Sequence, residues 1–372
     1  MKESIAVARL FDGEQWFDNV QLEWADGVIH SIQPAKGAVV AGSLVPGFID
    51  LQVNGGGGAL FNTAPTLDTL QTMLQAHRQF GTTAMLPTLI TDKLTVMQQS
   101  AAVIAEAIAA KMPGILGVHF EGPHLSVPKR GVHPTAHIRE LSAAEMALYL
   151  REDLGIRLLT VAPENVSPAQ ITELSAAGVR VWLGHSNATA DIVQAALAAG
   201  ASGFTHLYNA MSPLTSREPG MVGVALTDAD SWCGLILDGL HLHPLAAKLA
   251  LLAKPRGKVL LVTDAMSPVG TAETEFAFFN GKVTRQGNKL TDEAGALAGS
   301  VLDMAAAVRY AVSELAVELG EACRMAALYP AEALGIADKS GRLQAGYQAD
   351  MVLLDQQHQV TQCWQGGIAG LQ

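Results

Sequence analysis

The sequence predicts an α/β protein: a TIM-type (β/α)8 barrel with a second, small β-sandwich-like domain formed from both ends of the chain. Three observations lead there. Eight short apolar runs recur along the middle of the chain, amphipathic helical segments separate them, and both ends look strand-like without a following helix. Eight βα units over roughly 280 residues suit a closed barrel better than an open doubly wound sheet. Periodicity alone does not show closure, so the open sheet stands as the alternative.

Residues 1–44 read as short strands, with turns at Asp12-Gly13 and Asp26-Gly27. The apolar runs follow at 45–53, 82–89, 114–120, 157–161, 179–183, 203–207, 232–237 and 258–262. They are rich in Val, Ile and Leu, as parallel strands buried on both faces should be. The helices between them have readable ends. Ser142 and Glu145 have capping-box spacing. Ser167-Pro168 supplies an N-cap and a first-turn proline, with Ile171 and Leu174 on one face and Gly178 past the end. Thr189 opens the next helix, which closes at Gly200. After the eighth run, 276–290 reads as a hairpin insert with a turn at Asn280-Gly281. Residues 343–364 are strand-like again. The predicted division is a small β domain of 1–44 plus 343–372 and a barrel of 45–342.

Apolar residues make up 49% and charged residues 16%, which excludes a disordered chain. Aromatics are only 5%, so the core draws on Ala, Val, Ile, Leu and the 12 methionines. Lys plus Arg number 24 against 35 Asp plus Glu, a net charge of −11. That balance argues against nucleic-acid or anionic-membrane partners, which require a basic face. The N-terminal residues lack the pattern of a secretory leader, and no apolar run approaches the ~20 residues that span a bilayer. Cys233, Cys323 and Cys363 form neither a close metal-binding pair nor a disulfide framework. The expectation is a soluble cytoplasmic protein.

In such a barrel, functional residues lie at the C-terminal ends of the strands. Those ends read Gln52-Val-Asn54, Pro87-Thr88, Glu121-Gly122-Pro, Ala162-Pro-Glu164, Gly184-His185-Ser, His206 to Asn209, Asp238-Gly and Thr263-Asp264-Ala. Glu121, His185 and His206 are a carboxylate and two imidazoles, a common ligand set for catalytic zinc with one position left for water. Asp264, after the eighth strand, is then placed as a general base. His133 is either a carbonyl-polarising group or a solvated loop histidine. His241, beside Asp238, is placed to bind an anion, and His119 reads as packing one layer deeper. His243 is undecided. The run 55–58 either lets backbone approach a ligand or is a plain loop. Arg217 and Lys129-Arg130 are loop cations at the same edge, suited to a phosphate or simply to the surface.

Taken together, the motifs resemble a known family. Pro46-Gly-Phe-Ile-Asp-Leu-Gln, His119-Phe-Glu-Gly-Pro, Gly184-His-Ser, Thr205-His-Leu-Tyr-Asn-Ala-Met211, Arg217-Glu-Pro-Gly, Asp238-Gly-Leu-His241, Thr263-Asp-Ala and Gly346-Tyr-Gln-Ala-Asp350 are similar to those of the N-acetylglucosamine-6-phosphate deacetylases of the amidohydrolase superfamily. The resemblance implies a homodimeric, metal-dependent barrel that hydrolyses the N-acetyl group of an amino-sugar 6-phosphate. It implies that Glu121, His185 and His206 hold the metal, Asp264 is the acid/base, and His133 helps polarise the amide carbonyl. Arg217, reaching into the neighbouring subunit's site, and His241 match phosphate contacts. Asn209 and Ala210 match the loop on the sugar phosphate, and Gln52, Asn54, Gly122 and Leu297 complete the expected substrate contacts.

One departure bears on the metal count. Many amidohydrolases carry His-X-His after the first strand, where this chain has Gln52-Val-Asn54, and its fourth strand offers no lysine for a bridging carbamate. Amides are poor zinc ligands beside imidazole. The expectation is therefore one divalent ion per subunit, zinc first among the candidates. The galactosamine epimer, cyclic-amide hydrolysis and a non-catalytic sugar-phosphate binder are the alternatives.

Overall fold

The computed structural model describes residues 2–279 and 281–370. Eight parallel strands form the barrel in chain order: β1 (Phe48–Val53), β2 (Thr82–Ile90), β3 (Gly117–Glu121), β4 (Ile156–Val161), β5 (Arg180–Leu183), β6 (Gly203–Phe204), β7 (Trp232–Leu235) and β8 (Val259–Leu261). Every residue of β1, β2 and β3 is buried, as expected of strands covered on both faces. The ring is drawn shut just past β8. Asp264 N–H donates to the Gln52 carbonyl, and the Asn54 and Gly55 N–H groups donate to the Ala265 carbonyl. Asp50 clasps the same seam: its carboxylate accepts from the Thr263 hydroxyl, the Thr263 N–H (3.3 Å) and the Gln52 N–H (3.1 Å).

Local chemistry explains the helix starts. Ser142 and Glu145 form the expected capping box, and Ser167 forms a second one with Gln170. Thr189 occupies the N-cap of its helix without a side-chain hydrogen bond.

The apolar run 45–53 is divided between two sheets. Val40–Pro46 belongs to the terminal sheet, whereas β1 starts at Phe48. Gly47 is the joint. A Cβ there would lie 2.3 Å from the Thr83 hydroxyl oxygen, so only glycine lets the chain pass between the sheets.

The terminal sheet has seven strands in the order Ile368–Ala369, Val360–Gln365, Met351–Leu354, Val40–Pro46, Lys2–Phe11, Trp16–Ala25 and Val28–Pro34. It buries its own cluster, including Leu10, Leu22, Trp24, Leu44, Met351 and Trp364.

The insert after β8 is a three-stranded sheet, Glu275–Phe278, Gly281–Gln286 and Lys289–Thr291. Phe278 pairs with Gly281, so the first turn sits one residue earlier than expected. Asn280 lies outside the described residues, as do 1, 371 and 372 of the predicted small domain. The three cysteines are buried and free. Among the described residues, no helix is long and apolar enough to cross a membrane.

Candidate metal and catalytic site

The site is built where the strands end. Glu121 is the last residue of β3, and His185 and His206 each follow two residues after β5 and β6. His185, His206 and Asp264 have φ of 46°, 34° and 52°, a left-handed conformation that costs a non-glycine residue about 1–2 kcal/mol. Three such residues stand at the C-terminal ends of barrel strands, on one rim.

His206 Nε2 lies 3.0 Å from both Glu121 Oε1 and His185 Nε2, and His185 Nε2 lies 3.3 Å from Glu121 Oε1. A tetrahedral zinc with bonds of about 2.0–2.1 Å sets its ligands roughly 3.3 Å apart. The triangle therefore fits one face of such a site. His185 Nδ1 donates to the Lys129 carbonyl at 2.8 Å, which leaves the Nε2 lone pair for a metal. Burial opposes the charge on Glu121, but its contacts with both histidines hold its carboxyl well below the usual range. Among the described residues this is the one such group of three metal-ligating side chains.

Asp264 faces this triangle across the seam. Its Oδ1 accepts from Asn54 Nδ2 at 2.7 Å and Gln52 Nε2 at 3.2 Å. Burial and the negative charge of Glu121 push it up to about 6. Gln52 Nε2 also donates to Glu121 Oε1 at 3.0 Å, so one amide uses both protons to hold a metal ligand and the candidate acid/base.

His133 is buried, with its ring centroid 4.5 Å from that of His185. The Thr91 N–H donates to its Nδ1 at 3.4 Å, and the Thr91 hydroxyl lies 2.8 Å away. Nδ1 is thus an acceptor and Nε2 carries the proton. Burial pulls this histidine down to about 3, so it is a neutral donor.

A cavity of about 330 Å³ opens above these groups. Asn54, Glu121, His133, His185, His206, Asn209, Ala210, His241, Asp264 and Leu297 line it. Three expected substrate contacts do not. Gln52 lies beneath the floor with its amide committed as described. Gly122, in a cis peptide bond to Pro123, is packed against Thr91, because a Cβ there would sit 2.3 Å from its hydroxyl. Arg217 is exposed and outside its own chain's cavity.

Within the 55–58 run, Gly56 and Gly57 pack against the helix Leu67–Arg78, where a Cβ at Gly56 would fall 2.8 Å from His77 Nε2 and one at Gly57 2.9 Å from the Thr72 methyl. His119 packs below the site, its Nε2 2.7 Å from the Thr160 hydroxyl. His243 caps the helix Pro244–Ala253.

Sequence reasoning missed Met266 and Phe278 in the wall. Phe278 comes from the insert, whose apolar face was the only available signal. His124 was also missed; it is buried between the Tyr149 hydroxyl and the Arg139 carbonyl, 3.0 Å from each.

A barrel with a buried His-His-Glu triangle and an opposed aspartate at its C-terminal rim defines a hydrolase of the metal-dependent type. The comparisons agree: residues 43–369 match the amidohydrolase family, and the chain belongs to it. An N-acetylgalactosamine-6-phosphate deacetylase of Shewanella sp. (strain ANA-3) is 54% identical over 360 residues, covering 94% of this chain and 91% of that protein. One from Escherichia coli O157:H7 is 38% identical over 378 residues, covering 99% and 100%. The crystal structure of N-acetylglucosamine-6-phosphate deacetylase from Pasteurella multocida superposes with a TM-score of 0.96 at 34% identity, covering 100% of both chains.

Proposed function

We propose that this protein hydrolyses the N-acetyl group of N-acetyl-D-glucosamine 6-phosphate to give glucosamine 6-phosphate and acetate. The observation that carries the reading is the triangle of Glu121, His185 and His206 opposite Asp264 in one cavity. A divalent ion, zinc by the donor set, would be held by those three side chains and would supply Lewis-acid activation of water and of the acetyl carbonyl. With Oδ1 held by two amides, Asp264 has Oδ2 for proton transfer. It takes a proton from water as the oxygen attacks the carbonyl carbon, then delivers it to the nitrogen as the C–N bond breaks. His133 Nε2–H is the donor to the carbonyl oxygen as that atom gains charge.

His241 lines the cavity as a hydrogen-bonding group, and Lys129 joins it as a cation from the same chain. Arg217 is assigned to the site of a second subunit, which its exposure and its absence from its own cavity support. The proposed homodimer draws further support from Leu245, Leu249 and Leu252, which are 70%, 47% and 84% exposed along one helix.

The galactosamine epimer is the second reading, favoured by the Shewanella relative. Acetate release should be measured on 6-phosphorylated N-acetyl-glucosamine and N-acetyl-galactosamine, before and after chelation and metal restoration. Turnover lost on chelation and restored by zinc supports the proposal. No release from the glucosamine substrate by metal-loaded protein overturns it, and release from the galactosamine substrate alone establishes the second reading.

A further inference from the structure

Asp238 touches neither the metal-ligating triangle nor Asp264, yet its carboxylate is almost entirely buried, with 5% of the side chain exposed. All of its hydrogen bonding is spent on the turn that carries His241. Oδ1 accepts from the Leu240 N–H and the His241 N–H, each at 2.8 Å, and Oδ2 accepts from His241 Nδ1 at 2.7 Å. The backbone and the ring of one histidine are therefore gripped by the same carboxylate. Burial opposes the charge on Asp238 most strongly, but the bond from His241 and the two backbone N–H bonds together outweigh it and keep its carboxyl below the usual range. With Nδ1 turned to Asp238, Nε2 is the edge that His241 offers to the cavity it lines.

We infer that Asp238 is a positioning residue that fixes the His241 ring for the phosphate end of the substrate. The inference rests on the phosphorylated-sugar reading above. A phosphate oxygen only accepts hydrogen bonds, so Nε2 must carry a proton to bind it. Nδ1–H is already committed to Asp238, so the ring edge left to meet a phosphate oxygen is Nε2, held in a fixed orientation. Asp238 thereby supplies orientation without touching substrate.

Asp238→Asn separates the turn from the charge. The asparagine oxygen still accepts from the two backbone N–H groups, while its NH2 now faces Nδ1. The ring must then accept at Nδ1 and donate from Nε2 as a neutral group.

The test is steady-state kinetics of metal-loaded Asp238→Asn, His241→Gln and the double variant, on phosphorylated and unphosphorylated N-acetyl hexosamine. Metal content and thermal melting are checked for each protein. Asp238→Asn is expected to raise KM for the phosphorylated sugar about tenfold with kcat nearly unchanged. The unphosphorylated sugar should be unaffected, and the double variant no worse than His241→Gln alone. An unchanged KM, a loss confined to kcat, or full additivity of the two substitutions overturns the role of Asp238. Asp238→Glu, which keeps the charge, serves as the second variant if Asp238→Asn melts early; a KM no better than that of His241→Gln then counts against the inference. Equal wild-type rates on both sugars would instead overturn the phosphate reading, while the double-variant cycle would still report whether the two side chains act as a unit.

Discussion

Asp264 owes its setting to two amides at the end of β1. Asn54 and Gln52 both donate to one carboxylate oxygen, and Gln52 also ties that carboxylate to Glu121. Replacing Asp264 by Asn should leave substrate KM near wild type and lower kcat by about three orders of magnitude, read by acetate release, because the proton shuttle is gone. Near-normal turnover would show that another group moves the proton. The residue types of this site were legible from strand-end positions alone. Their orientation was not: the left-handed backbone at His185, His206 and Asp264 leaves no local pattern in the sequence. Gln52 shows the same limit, since nothing in its spacing separates a side chain facing a ligand from one buttressing its neighbours.

The seam between β1 and β8 is the element on which that geometry depends. Asp50 is fully buried there and is pushed up to about 7, mainly by burial. A carboxyl raised in the folded state takes up a proton on folding between pH 4 and pH 7, so its effect on stability falls as pH rises through that window. Below it both states are protonated, and above it the full penalty is present. Asp50→Asn keeps an acceptor for the two N–H groups and removes the charge. Its urea midpoint should change less between pH 5 and pH 8 than that of the wild type. An identical pH dependence would mean that Asp50 is not the titrating group. The strands themselves were readable because burial on both faces demands continuous apolar runs. Gly47 defeated that logic: the run 45–53 stays apolar through a change of sheet, since either core rewards the same residues. The third strand of the insert was hidden for the opposite reason, as Lys289–Thr291 is short and largely polar.

At the scale of the whole molecule, a net charge of −11 coexists with a cavity that gathers Lys129 and His241. Net charge describes the surface, whereas a phosphate answers to the cations within a few ångströms. If Arg217 completes the neighbour's site, two inactive chains should repair each other. Co-expressed Arg217→Ala and Asp264→Asn chains, purified as the mixed pair through different tags, hold one intact site and should recover on the order of half the wild-type rate. A mixed pair as inactive as its parents would place Arg217 outside the partner's site. The terminal sheet sets a further condition, one of timing. Val40–Pro46 lies between Lys2–Phe11, made before it, and Met351–Leu354, made roughly 300 residues later. At ribosomal speeds of about 5–20 residues per second, one edge of that strand waits for tens of seconds with no partner. Leu44 and Val45 spend that interval open to any passing strand, so the nascent chain is most prone to aggregate before Met351 emerges, and a premature stop in the barrel would make that exposure permanent.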